Sequence, residues 1–482
     1  MEAGLPDRLT RRTAPARTGI VHLGPGAFFR AFQAIYTAEA MAAQGGDWGI
    51  LAVSLKSPTA RDQLESQGGA FTAVELGPEG KSARVIESIT GVLVAPENPE
   101  AVIAAMADPG VRIVSLTITE KGYCHEPATG RLNRDHPEIR HDLKNPDRPQ
   151  SAPGFIVAAL ARRRADGVKP FTVLTCDNLP SNGRLARGIM LDFARARDHD
   201  LADWIAAEVP FPATMVDRIT PATTPADIEA LAASEGYLDP ACVMHEPFRQ
   251  WVIEDDFADG RPAWEVAGAQ FVRNVEAHEA MKLRCLNGTH STLAYLGYLS
   301  GYETIAETVA DPAFAALCNR LWREEILPTV PRPEGEDLPA YCAALLDRYR
   351  NPGIRHRTWQ IAMDGSQKLP QRILGTVRDA LAAGRVPSGL CLAVAGWMRY
   401  VGGLDEAGQA IDVRDPLAAQ LRAASDSAQT PAGKVAALLG VAQVFDPALA
   451  GDARFRTAVT EAYDALAGQG ARATVAAWTS AG

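Results

Sequence analysis

A lysine, a carboxamide and an imidazole sit together in the stretch MKLRCLNGTHSTLAYLGYLSG as Lys282, Asn287 and His290. A lysine whose pKa is lowered by burial and by a neighbouring cation can take a proton from a hydroxyl group. A carboxamide donates to that oxygen as negative charge grows on it, and an imidazole orients or shares the proton. On an α-helix turning about 100° per residue, Lys282 and Asn287 stand roughly 140° apart with His290 between them, so all three can face one cleft. A plain solvated helix face would carry the same residue types. Gly288 speaks for function, because a glycine inside a helix costs roughly 1 kcal/mol relative to alanine and often marks a close approach.

A second set lies far upstream. In IVHLGPGAFFRAF, Gly24 and Gly26 follow a predicted strand and precede a predicted helix. Without a Cβ the backbone can approach a pyrophosphate, and the helix start offers N–H donors. The match to G-x-G-x-x-G is incomplete, because Phe29 takes the third glycine position. The following strand, WGILAVSLKSPTARD, ends in Lys56 and Ser57, where an acid would grip ribose hydroxyls; the nearest acid is Asp62. Lys56 or Arg61 could instead receive a 2′-phosphate, or both could be solvated loop charges, which leaves NAD and NADP open.

Three further strand ends carry polar groups: Glu120 and Lys121 in TITEKGY, Asp177 and Asn178 in TCDNLPSNG, Asp217 and Arg218 in MVDRITP. Ligands of open α/β sheets bind at such ends, although each pair alone also fits a loop cap or an ion pair. RHRTWQIAMDGSQKLPQR adds Arg355, Arg357, Gln360, Lys368 and Arg372, a donor set suited to a polyhydroxylated or carboxylated substrate or to a basic surface loop.

The positioning elements follow from periodicity. From about residue 18 to 280 strands alternate with helices, which predicts a parallel-rich sheet with crossover helices. Beyond about residue 277 the segments repeat at 3.6 residues, which predicts helices. The expected architecture is a Rossmann-type α/β domain over 1–277 and a mostly α-helical domain over 278–482. A chain of 482 residues suits two domains. Net charge is −10 with no basic block, which argues against nucleic acid. No run of 18 apolar residues appears, and the polar N-terminus does not read as a secretory signal. Seven cysteines, an odd number with no C-x-x-C pair, read as buried thiols of a cytoplasmic protein, with no metal site expected.

K-x-x-x-x-N-x-x-H with the run STLAYLGYL resembles the mannitol dehydrogenase family, the polyol-specific long-chain dehydrogenases. GPGAFFRAFQA, SLTITEKGYC, TCDNLPSNG, MVDRITPA, EPFRQWVIEDDF and MDGSQKLPQR extend the likeness nearly end to end. The resemblance implies a zinc-independent dehydrogenase using NAD or NADP, active between its two domains. It implies Lys282 as general base, with Asn287 and His290 on the reacting oxygen. Asn178 and Asp217 would lie near the substrate and Glu120 in a proton relay; Gly24, Gly26, Phe28 and Arg30 would hold the cofactor. Two departures stand out: Phe29 and Phe32 replace histidines of the common F-H-R-A-H-Q pattern, and Gln360 stands where some mannitol 2-dehydrogenases carry arginine. RHRTWQIAMDGSQKLPQR and EPFRQWVIEDDF most resemble the group that reduces D-fructuronate to D-mannonate, in which Lys368, Arg372 or Arg357 would bind the far carboxylate. Oxidation of mannitol to fructose is the alternative. A sugar-phosphate dehydrogenase or a non-catalytic dinucleotide- or sugar-binding regulator are more distant ones. A monomer or small homo-oligomer is expected.

Overall fold

The chain divides into two compact units, residues 1–276 and 277–482; this computed structural model describes residues 6–126 and 129–481. In chain order the described strands are β1 (Thr18–Leu23), β2 (Gly49–Ser54), β3 (Phe71–Gly77), β4 (Gly80–Ile86), β5 (Ile89–Val94), β6 (Ile113–Leu116), β7 (His125–Glu126), β8 (Arg131–Leu132), β9 (Thr172–Thr175), β10 (Thr214–Asp217), β11 (Val243–His245), β12 (Gln250–Glu254) and β13 (Gln270–Val272). All lie in the first unit.

Runs such as GIVHL and RIVSL are apolar without alternation, the pattern of strands covered on both faces. They form a parallel sheet in the order β5-β2-β1-β6-β9. One apolar cluster, with Val21, Val114, Phe155 and Ile189, covers one part of it, and a second, with Ile20, Phe32, Ile50 and Trp251, covers another. The strand order changes direction at β1, which has β2 on one side and β6 on the other. In such sheets a ligand crevice opens at the carboxyl ends of these strands. This is the Rossmann-type arrangement expected from sequence.

Three details were not legible from periodicity. The β-branched run VRIVSLTITE predicts one long strand, yet β6 stops at Leu116. Thr119 takes φ 62°, and a short turn of helix, Thr119–Gly122, follows. Buried Asp177 dictates this, because its carboxylate accepts from the Ile118 and Thr119 N–H groups at 3.0 and 2.9 Å and from the Tyr123 hydroxyl at 2.9 Å. The helix after the glycine turn is broken into Ala27–Ala31 and Gln33–Gln44 at Phe32, whose φ/ψ of −129°/−93° is not helical. The antiparallel hairpin β3–β4 and the small sheet β10-β12-β13 come in addition to the parallel pattern. Asn182 joins β9 to β10: its amide nitrogen donates to the Asp177 and Thr214 carbonyls at 3.0 and 2.9 Å, and its oxygen accepts from the Thr214 N–H at 2.9 Å.

The second unit is helical around one large apolar cluster that includes Leu293, Tyr295, Trp322, Leu345, Trp397 and Phe455. Its signature is winding. The helix that begins at Glu276 changes to π-helix over Lys282–Gly288 and returns to α-helix over Thr289–Leu299. π-Helical winding recurs over Leu321–Ile326, which runs on into a 3-10 turn at Leu327–Thr329, and over Pro370–Leu374, which returns to α-helix at Gly375. Among the described residues no helix is long and apolar enough to cross a membrane.

Candidate active site

The π-helical turn decides where the lysine, the carboxamide and the imidazole point. In a π-helix residues i and i+5 are joined by the backbone hydrogen bond, so they stack one above the other. Lys282 and Asn287 are such a pair. The 140° separation expected for a regular α-helix is therefore corrected: the wide turn brings both onto one face. The altered winding leaves carbonyls to be satisfied from outside, and the second unit supplies donors. Trp322 Nε1 donates to the Cys285 carbonyl at 2.9 Å, and the Tyr349 hydroxyl donates to the Leu286 carbonyl at 2.9 Å. The Thr289 hydroxyl donates to the Cys285 carbonyl at 2.6 Å. Gly288 is required for the packing, because a Cβ there would stand 2.8 Å from the Arg372 carbonyl oxygen. Two of the π-helical stretches thus meet backbone to backbone.

Lys282 and His290 are buried, 9% and 8% exposed, and Asn287 is half-buried. The His290 ring stacks near-parallel on Tyr349 at 5.5 Å and tilts against His356 at 4.7 Å. Burial holds His290 well below the usual histidine range, and the charges of His356, Arg372, Arg348 and Lys368 push the same way. His356 is brought down to about 4 by burial, with Arg348 and Lys368 adding to it. Both imidazoles are therefore neutral near pH 7. Burial first, and then the Arg372 charge, brings the Lys368 ammonium down to about 8. Its Nζ donates to the Met363 carbonyl at 2.6 Å, and Arg372 Nη1 donates to the Ser291 hydroxyl at 3.1 Å. The structure thus gathers Lys282, Asn287, His290, Lys368 and Arg372 in one neighbourhood. It adds Tyr349, His356, Arg348 and Ser291, which no local spacing announced. Arg357 stands apart, exposed and paired with Glu303 at 3.4 Å. Arg355 and Gln360 are exposed.

In the first unit the glycine turn connects β1 to the helix Ala27–Ala31. Gly24 has φ 91°, and a Cβ there would overlap the Thr117 carbonyl of the neighbouring strand end. Gly26 faces open space: a Cβ would meet nothing closer than the Gly24 oxygen at 4.0 Å. The first turn of the helix has no side-chain cap, so its N–H groups lack that partner. Beneath the turn lies buried His22, its ring 3.7 Å from that of Phe29 and held to Ser115 and Thr117 hydroxyls at 2.8 and 2.9 Å. Burial brings His22 down to about 3, so it is neutral. The third glycine position is thus filled by a ring that packs inward. Phe28 stacks on Phe32 at 5.0 Å. Arg30 is buried and turned back, its Nη1 donating to the Pro25 carbonyl at 2.7 Å. It braces the turn.

Asn178 is exposed just beyond β9, and Asp217 is buried at the end of β10. Glu120 is exposed on the turn that Asp177 clamps, 3.9 Å from His125 Nε2. Lys56 pairs with Glu138, and Arg61 pairs with Asp62 at 2.8 Å and also with Glu97. Arg218 donates to the Ala31 and Glu246 carbonyls at 2.7 and 2.9 Å and so links this helix to the segment after β11.

The model of the mannitol dehydrogenase Rossmann domain matches residues 18–266, and that of the mannitol dehydrogenase C-terminal domain matches residues 274–467. A D-mannonate oxidoreductase of Escherichia coli (strain K12) is 50% identical over 95% of this chain and 95% of its own. A mannitol 2-dehydrogenase of Aspergillus terreus is 41% identical over 96% of this chain and 94% of its own. Among solved structures, Pseudomonas fluorescens mannitol 2-dehydrogenase, in a ternary complex with NAD and D-mannitol, superimposes with a TM-score of 0.84 at 39% identity, covering 99% of this chain and 97% of that one.

Proposed function

The chain belongs to the mannitol dehydrogenase family, and from that premise we propose that it is an NAD-dependent oxidoreductase interconverting D-fructuronate and D-mannonate. The observation that carries the substrate class is the charge around His290. Three permanent or near-permanent cations, Arg348, Lys368 and Arg372, bear on this neutral ring. A substrate with a carboxylate remote from its reacting carbon is drawn to this positive field, which a neutral polyol does not exploit.

Lys282 removes the hydroxyl proton in oxidation and returns it in reduction. Asn287 donates to the same oxygen, and neutral His290 adds an N–H donor without competing for the proton. Glu120 is assigned the outward transfer of the proton, with Asn178 and Asp217 on the substrate hydroxyls. The turn Gly24–Gly26, open at Gly26 where a Cβ would stand, fits a dinucleotide pyrophosphate. NAD, when bound, supplies the hydride acceptor. The ion pairs of Lys56 and Arg61 support NAD over NADP, because a 2′-phosphate would have to displace their carboxylates.

Mannonate, altronate, mannitol, arabinitol and sorbitol, each assayed with NAD and with NADP at the reduced-nicotinamide absorbance band, test the reading. A charge-assisted contact is worth about 1.5–3 kcal/mol, so kcat/KM for mannonate should exceed that for mannitol by roughly 10- to 100-fold. Equal or better turnover of mannitol replaces the sugar acid by mannitol and fructose as the substrate pair.

A further inference from the structure

A different group of side chains in the first unit has the chemistry of a metal site. Cys124 follows the clamped turn Thr119–Gly122 and precedes β7. His136 caps the helix Pro137–Lys144, and Glu138 lies in the first turn of that helix. Their Sγ, imidazole nitrogen and carboxylate oxygen lie within 4.8 Å of one another. The expectation of a metal-free chain rested on the lack of paired cysteines. The spacing C-x11-H-x-E gives no familiar signature, and the fold assembles the group instead.

Two of the three donors are unspent. His136 Nδ1 is shielded from solvent and has no hydrogen-bond partner. The Cys124 thiol has only a weak 3.9 Å contact with the Gly122 carbonyl. A buried imidazole nitrogen without a partner costs free energy, which a bound cation would recover. Glu138 holds Lys56 through Oε1, and a carboxylate, with about four lone-pair sites, can serve a second partner. Pro137 restricts the backbone of His136 to the extended region (φ −57°, ψ 130°), which presets the ring.

We propose that Cys124, His136 and Glu138 bind one divalent transition-metal ion of the zinc type, as a fastener between the Glu120-bearing turn and the helix Pro137–Lys144. A thiolate, an imidazole and a carboxylate form a three-protein-ligand set for zinc, with water completing the tetrahedron. Bonds of about 2.0–2.3 Å place tetrahedral ligand atoms roughly 3.3–3.7 Å apart, so the donors close by about 1 Å through side-chain torsions. The thiol proton leaves to solvent as the S–metal bond forms, and the ion's two positive charges are balanced by thiolate and carboxylate. Burial, with the Glu138 charge adding, pushes the free Cys124 thiol up to about 12, so uptake weakens as pH falls. No step of the hydride transfer is assigned to this ion.

The test uses the whole chain, stripped with chelator and titrated with Zn²⁺ or Co²⁺. The expected result is about one zinc per chain retained through gel filtration, about one proton released per metal, and a thiolate-to-cobalt charge-transfer band in the near ultraviolet. Cys124→Ser should abolish the band, and His136→Gln should weaken zinc binding by at least about tenfold. Cys242→Ser, at a buried cysteine outside the group, should change neither. Should Cys124→Ser fail to fold, the wild-type stoichiometry, the cobalt spectrum and His136→Gln still decide. Wild-type chain that retains no zinc, cobalt bound without the thiolate band, or undiminished zinc affinity in His136→Gln would each overturn the proposal.

Discussion

Replacing Gly288 by alanine tests whether the wide turn positions the chemistry. The added Cβ would stand 2.8 Å from the Arg372 carbonyl oxygen, against at least 3.4 Å for ordinary contact, so one backbone must yield by about 0.6 Å. Overpacking of this kind costs roughly 1–3 kcal/mol, and alanine returns about 1 kcal/mol through its helix preference, leaving a net loss of about 0–2 kcal/mol. For a unit the size of residues 277–482 that lowers Tm by no more than about 8 °C. Activity should suffer more. Asn287 and His290 flank Gly288, and Arg372 is the group displaced; a misplacement of about 1 Å costs on the order of 100-fold in rate. We therefore expect kcat/KM to fall by about 10- to 100-fold while the circular dichroism spectrum stays native. Gly188→Ala is the control: it lies in the helix Asn182–Arg197 with nothing within 4 Å of its Cβ, and should be neutral to slightly stabilising. A Gly288→Ala enzyme with native spectrum and kcat/KM within about twofold of wild type would refute the claim that this contact sets the site's geometry.

Lys282→Ala should lower kcat by orders of magnitude with NAD affinity, measured by fluorescence titration, nearly unchanged; near-normal turnover removes it as the base. Lys368 makes a pH prediction. Its ammonium is brought down to about 8 in the fold, so positive charge is lost as pH rises through that value. KM for mannonate should then rise by up to about fivefold between pH 8 and pH 9 while KM for mannitol stays flat, and Lys368→Arg should remove the difference. For stability the sign is opposite, since the unfolded lysine keeps its proton to higher pH and this group's contribution grows with pH above about 8, measurable as a rising denaturation midpoint. Asp177→Asn turns one acceptor into a donor facing a half-buried N–H, at a cost of about 1–2 kcal/mol; thermal unfolding should come earlier, and turnover should fall as the Glu120 turn loosens.

What sequence reveals here depends on how far apart the cooperating residues lie. The strand, glycine turn and helix near Gly24 are contiguous, and their pattern is strong. Lys282, Asn287 and His290 share nine residues, so their association was visible, but their angles were not. Periodicity assumes one winding, and the carbonyl partners that stabilise another, Trp322 and Tyr349, come from helices about 40 and 60 residues away. His356 and Arg348 escaped for the same reason. VRIVSLTITE misled because β-branched residues favour a strand locally, whereas Asp177, nearly 60 residues on, pays for the turn with three hydrogen bonds. Arg30, expected at the cofactor, is buried with its Nη1 on the Pro25 carbonyl; a side chain's direction is set by its surroundings, which no motif records.

The wide turn at Lys282–Gly288 has a consequence for length. A π-helical segment accommodates one residue more than the α-helix it interrupts. Deleting a single position inside it, Leu283 or Arg284, would let the ladder relax to the ordinary register. Such a protein would keep every reactive residue, and its amine and carboxamide would still stack, now as an i, i+4 pair of a regular α-helix; what it would lose are the freed carbonyls of Cys285 and Leu286 that hold Trp322 and Tyr349. In this helix the count of residues decides which backbone carbonyls are left for outside donors, and so how the turn is anchored to the rest of its unit.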